Sequence, residues 1–160
     1  MSGRLIGIAR RDKSRAPMQT AESGTVTVAA GLAGDCKGAK FPERQITVLS
    51  REDWQAALAT LGNPGLPWTA RRANLFVEGV TLPRGPGSQM RIGSILLEVT
   101  GQTSPCEVME RAFPGLRKAL SPEWRGGVTC KVVAGGEMRT GDEVSVTKAI
   151  RERKVLLPGQ

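Results

Sequence analysis

The chain has 160 residues, of which 39% are hydrophobic and 24% charged, the composition of one globular domain with a sizeable core and not of a disordered segment. Its 23 lysines and arginines against 15 acids give a net charge of +8 and a pI near 10.1, a balance that favours an anionic partner. Histidine and tyrosine are absent, and the three cysteines, Cys36, Cys106 and Cys130, form no CxxC pair, which excludes imidazole acid–base catalysis and argues against a zinc site.

Along the chain, short runs rich in Val, Ile, Leu and Thr alternate with glycine turns, and this pattern predicts a mainly β domain with few helices. The N-terminus lacks the apolar segment of a signal peptide and no run is long enough to span a membrane, so a cytoplasmic protein with reduced thiols and no membrane contact is expected. Predicted strands are LIGIAR (5–10), TVTVA (25–29) and QITVLS (45–50). A helix follows, opened by Ser50 as N-cap with Asp53 three residues on; Trp54, Ala57, Leu58 and Leu61 share its inner face and Gly62 closes it. ANLFVEG (73–79) predicts the next strand, with Arg72 and Asn74 on one side and Leu75 and Val77 on the other. SILLEVTG (94–101) is another strand, and after it comes the stretch QTSPCEVMERAFPG. There Ser104 is a favoured N-cap, Pro105 suits the first helical position and Glu107 completes a capping box, so Cys106 is expected in the first turn of a short helix. In that position the helix dipole favours a thiolate, Glu107 opposes it, and burial as a small hydrophobe is the competing reading. Further turns are expected over 114–120 and from Ser121 to Trp124, then strands VTCKVV (128–133) and EVSVTK (143–148). The single domain is taken as 1–160, with a core of about 5–146 and a basic tail over 147–160. Cys130, inside a β run, reads as structural; Cys36, in a glycine-rich loop, reads as exposed and oxidisable.

Cations gather at strand ends and loops: Arg10, Arg11, Lys13 and Arg15; Lys37, Lys40 and Arg44; Arg71 and Arg72. Aromatic residues make up only 4% and do not interleave with these clusters, which argues against nucleic acid and leaves a phosphate-bearing cofactor as the expected anion.

The ordered series GLAGD (31–35), RQITVLSRE (44–52), RRANLFVEGV (71–80), RIGSILLEVTG (91–101), SPC (104–106) and RGGVTCKVVAGGEMRTGDEV (125–144) resembles the MOSC domains, the molybdenum cofactor sulfurase C-terminal family, in a stand-alone bacterial type. The resemblance implies a strongly coiled, mostly antiparallel β-barrel with short helices. It also implies that the cysteine at position 106 either carries sulfane sulfur or ligates the molybdenum of the pterin cofactor. In the amidoxime-reducing members, positions resembling Lys13, Ser14, Ser50, Arg72, Asn74 and Ser104 hold the cofactor's phosphate and pterin; Arg44 and the Asp35 of GLAGD join this expected set. Many members carry a basic residue and a histidine after the GD, where this chain has Cys36 and Lys37. With neither the aminotransferase-like sulfurase domain nor the ferredoxin-like domain of larger members, the chain is expected to work without pyridoxal phosphate and with a separate electron-transfer or sulfur-donor protein. The expected function is therefore that of a molybdenum cofactor-binding redox protein acting on N-hydroxylated compounds through Cys106. A persulfide carrier at Cys106 is the alternative, and a basic binding protein in which Cys106 merely packs is a third.

Overall fold

The computed structural model describes residues 2–103 and 106–147. In chain order its elements are β1 (Ser2–Arg10), β2 (Gln19–Ala21), β3 (Ser23–Thr27), β4 (Gly31–Leu32), β5 (Ile46–Ser50) and α1 (Arg51–Leu61). A 3-10 turn (Trp68–Arg71) leads to β6 (Leu75–Glu78), β7 (Gln89–Ile92), β8 (Ile95–Gln102), α2 (Glu107–Ala112) and α3 (Leu116–Leu120). A second 3-10 turn (Pro122–Trp124) precedes β9 (Val128–Ala134), β10 (Gly136–Arg139) and β11 (Glu143–Thr147). The expected strands, including all but the last residue of 143–148, are present; Ser104, Pro105 and the tail from 148 lie outside the described residues.

Strands β11, β7, β8, β9, β5, β6 and β1 pair in that order, and β1 pairs back onto β11, closing a seven-stranded barrel. Every barrel contact is antiparallel except β5 with β6, which run parallel because α1 and the first 3-10 turn carry the chain between them. Strands β10, β3 and β4 form a separate small sheet beside the barrel. The expected coiled, mostly antiparallel barrel is thus the observed one.

Alternation along the strands creates two cores. Leu5, Ile8, Val48, Leu75, Val77, Met90, Ile92, Leu97, Cys130 and Val132 point into the barrel. Leu49 and Phe76 point outward, against Trp54, Leu58, Met109, Leu116 and Leu120 of the helices. Burying one such leucine contributes about 2 kcal/mol. Gly7 sits at an irregularity in the β1–β6 ladder, where Trp68 stacks on Phe76 at 4.9 Å; a Cβ on Gly7 would lie 2.7 Å from the Trp68 ring.

Helix α1 forms as its caps predict. The Asp53 N–H donates to Ser50 Oγ at 3.0 Å, and Gly62 ends the helix in the left-handed region at φ 70°. Cys130 is fully buried, and desolvation pushes its thiol up to about 12, so it is an inert packing residue at neutral pH. No helix among the described residues is long and apolar enough to cross a membrane.

Candidate functional site

The end of β1 and the starts of β5 and β6 share one rim of the barrel, and the stagger of β9 against β5, with Thr47 opposite Thr129 and Thr129 opposite Gly101, brings the start of β9 and the end of β8 beside it. Here a cavity of about 360 Å³ opens, within the size range of pockets that bury a small organic ligand. Five cationic side chains line it: Arg11 from the end of β1, Lys37 and Arg44 from the loop before β5, and Arg71 and Arg72 from the turn before β6. Thr47, Gln102, Thr103 and Thr129 add hydroxyl and amide groups, Cys106 contributes its thiol, and Phe41, Val108 and Met109 supply apolar surface.

Arg71 and Arg72 are neighbours in sequence, yet both reach the cavity. The reason is the backbone: Arg72 caps the 3-10 turn in the left-handed region, at φ 65°, instead of continuing a strand. The expected strand alternation of Arg72 with Asn74 therefore does not hold, since β6 starts only at Leu75. The Arg71 guanidinium is buried; its Nε donates to Gly126 O at 2.8 Å and its Nη1 to Met109 Sδ at 3.7 Å. Burial works against its charge and pushes its pKa down to about 10, so it stays cationic at neutral pH. Arg72 donates to Ala16 O, and desolvation followed by the nearby Arg11 lowers its pKa too.

Lys37 is affected too: desolvation, partly offset by Asp35 and reinforced by Arg11 and Arg71, brings its amine down to about 8. Its ammonium donates to Thr47 Oγ1 at 3.2 Å. Thr47 is itself locked to Asn74, whose Oδ1 accepts from the Thr47 N–H at 3.0 Å and whose N–H donates to Thr47 Oγ1 at 3.1 Å. Among the described residues the ion pairs are Arg51 with Glu78 and Lys131 with Glu98, so none of the five cavity cations has a carboxylate within ion-pair distance. In addition, Arg11 Nε is buried with no hydrogen-bond partner. Sequestering uncompensated charge is costly, and a bound anion removes that cost.

Cys106 is exposed to this cavity. The helix starts two residues later than expected, so Cys106 is the N-cap of α2 and not part of its first turn, and its carbonyl accepts the Met109 N–H at 3.0 Å. The Sγ lies 4.0 Å from Met109 Sδ.

The other expected site residues divide into three groups. Arg44 and Arg72 line the cavity with Cys106, Arg44 resting over the Phe41 ring at 4.9 Å. Asp35 and Asn74 support it from behind. Asp35 accepts the Arg11 N–H at 3.1 Å and the Lys37 N–H at 3.4 Å, and fully buried Asn74 spends its amide on Thr47 and Ala9. Lys13 and Ser14 lie exposed in the loop after β1, outside the lining, and Ser104 lies outside the described residues. Ser50 caps α1 and borders a different cavity, of about 280 Å³, with Glu52, Asp53 and Arg84. The sequence reading counted Arg11, Lys37 and Arg71 among the basic clusters without assigning them to the site. Cys36 is half-buried and not fully exposed, its N–H donating to Arg11 O at 2.8 Å.

A barrel with one cysteine among cations and amides at its rim defines the class. The chain matches the MOSC domain family over residues 32–145, and it belongs to that family. It is similar in fold to the YUAD protein of Bacillus subtilis, at 22% identity and TM-score 0.76, covering 91% of this chain and 96% of that one. YiiM from Escherichia coli is 19% identical at TM-score 0.67, with 92% of this chain and 71% of that one covered. YiiM from Geobacillus stearothermophilus is 18% identical at TM-score 0.66, with coverage of 89% and 73%. No curated protein matches the chain. The MOSC family is associated with binding of the molybdenum cofactor.

Proposed function

We propose that the rim cavity binds the molybdenum cofactor, with Cys106 as the protein's ligand to the metal, and serves in the reduction of N-hydroxylated compounds. The observation that carries this reading is the lining: five cations with no carboxylate within ion-pair distance among the described residues, around one exposed thiol. The donor set fits the group. A phosphate-bearing pterin needs cations and hydroxyl or amide donors, which Arg11, Arg44, Arg71, Arg72, Thr47 and Thr103 offer, and the orphaned Arg11 Nε is a donor still to be used. Thiolate is the ligand type a thiophilic metal selects. Among the described residues no group of three or more Cys, Asp or Glu side chains could hold a metal ion, so in this reading the pterin completes the coordination.

When bound, the cofactor supplies two-electron redox chemistry at its metal. The chain's own residues do the rest. Arg71, already buried, meets the anionic part with little further desolvation of its own; Asn74 fixes Thr47 and Asp35 fixes the Arg11 and Lys37 backbone, so the cradle is pre-organised. Phe41 and Val108, exposed apolar side chains of the lining, add apolar surface for an organic ring system. Protein purified from a host that makes the cofactor is expected to contain molybdenum, and Cys106→Ser to lose it; wild-type protein free of molybdenum under those conditions refutes the reading.

The exposure of Cys106 also supports a persulfide carrier at the same position. Intact mass after treatment with a cysteine desulfurase separates the two, because only a carrier gains sulfur, and only at Cys106.

A further inference from the structure

Reductive cleavage of an N–O bond consumes protons as well as electrons, and the cavity has few groups able to deliver them. Among the described residues its lining contains no aspartate or glutamate, and the chain has no histidine or tyrosine. Four of the five cations, Arg11, Arg44, Arg71 and Arg72, are guanidiniums, which bind anions without exchanging protons near neutrality. The Cys106 thiol is committed to the metal in the reading above. Lys37 remains.

Its placement suits the task. The amine donates to Thr47 Oγ1, an acceptor that Asn74 fixes in turn, so its place in the cavity is set by a rigid partner. Arg11 and Arg71 face it from β1 and from the turn before β6, while Asp35 and Cys36 neighbour it on its own loop. The Asp35 oxygens are engaged by the backbone N–H groups of Arg11 and Lys37, not by the ammonium. Burial among like charges makes the ammonium a readier proton donor than an ordinary lysine, with its pKa at about 8.

Resting on the proposed function, we propose that Lys37 is a catalytic residue of the cavity, the general acid that protonates the oxygen leaving an N-hydroxylated substrate. The hydroxylamine R–NHOH, with two electrons and two protons, gives R–NH2 and water. The N–O bond breaks, and the nitrogen is reduced by two electrons drawn from a separate electron-transfer protein. One proton passes from the Lys37 ammonium to the departing oxygen, which leaves as water. The other reaches nitrogen from solvent, which also reprotonates the amine.

Three measurements on the full chain test this. The Lys37 amine, followed by NMR in protein free of bound anion, is expected to titrate near 8 and to move upward when inorganic phosphate fills the cavity. In molybdenum-replete protein, Lys37→Gln and Lys37→Arg are both expected to lower kcat about 100-fold or more, with metal content retained. The alkaline loss of activity in the wild type is expected to vanish in Lys37→Gln. An amine titrating at its ordinary value, or a Lys37→Arg variant with wild-type kcat, overturns the assignment, the second because charge alone would then suffice. Wild-type protein without molybdenum removes the parent reading and the reaction with it, and metal analysis distinguishes that failure from a failure of Lys37 alone.

Discussion

Replacing Lys37 by methionine is predicted to stabilise the protein. The stem keeps its packing while the charged end is removed, and Thr47 Oγ1 keeps both of its bonds to Asn74. The fall of the Lys37 pKa from 10.5 to about 8 means that the folded state disfavours the ammonium relative to the unfolded chain. At about 1.4 kcal/mol per pH unit the cost at neutral pH is roughly 3 kcal/mol. Below about 8 the amine is protonated in both states and the whole cost is present. Between about 8 and 10.5 the unfolded chain holds the proton that the folded protein has released, so stability rises with pH across that window. Urea unfolding at neutral pH should therefore show Lys37→Met more stable than wild type by roughly 3 kcal/mol, and the gap should narrow to near zero by about pH 11. Cys130, whose thiol is pushed up to about 12, erodes stability in alkali in both proteins alike and cancels in the comparison. A variant no more stable than wild type at neutral pH, or a gap that does not change with pH, refutes the claim that Lys37 is held uncompensated in the cavity.

Other substitutions separate the cavity lining from its supports. Ser50→Ala should cost about 1 kcal/mol of stability in urea unfolding through loss of the α1 cap, with molybdenum content unchanged; loss of metal would place Ser50 in the site. Asn74→Ala should cost about 2–4 kcal/mol by orphaning the Thr47 N–H and the Ala9 carbonyl, and should also weaken phosphate binding measured by calorimetry. Arg71→Gln should weaken phosphate about tenfold or more, whereas Arg51→Gln, on the far Arg51–Glu78 pair, should leave it unchanged. In native protein iodoacetamide should label Cys106 and spare Cys130 until the barrel unfolds, as mass spectrometry of peptides would show.

The sequence made the fold legible wherever one strand or helix carried its own signal. The β-branched and aliphatic runs of β5 and β9 and the Ser50 and Gly62 caps of α1 required no knowledge of the rest of the chain. Strand β7 escaped because four residues, Gln89–Ile92, carry too little periodicity alone; its identity comes from pairing with β8 and β11. The same holds for β2, β4 and β10, which are short and defined by their neighbours. Cys106, Arg44 and Arg72, singled out from chemistry and resemblance, line one cavity. Arg11, Lys37 and Arg71 were legible only as cations, because barrel closure decides whether a strand-end cation points to solvent or inward. Ser50 and Asn74 were singled out by position, and their polar groups are spent on a helix N-terminus and on Thr47.

The central claim, that the cationic rim cavity holds an anionic pterin whose metal meets the Cys106 sulfur, is tested most directly by pterin content. Pterin released from purified protein and measured by fluorescence after oxidation, beside molybdenum, should be stoichiometric with wild-type chain and sharply reduced in Arg71→Gln. In Cys106→Ser, molybdenum should fall further than pterin, since the cations remain. Wild-type protein devoid of pterin when made in a host rich in the cofactor would contradict the account.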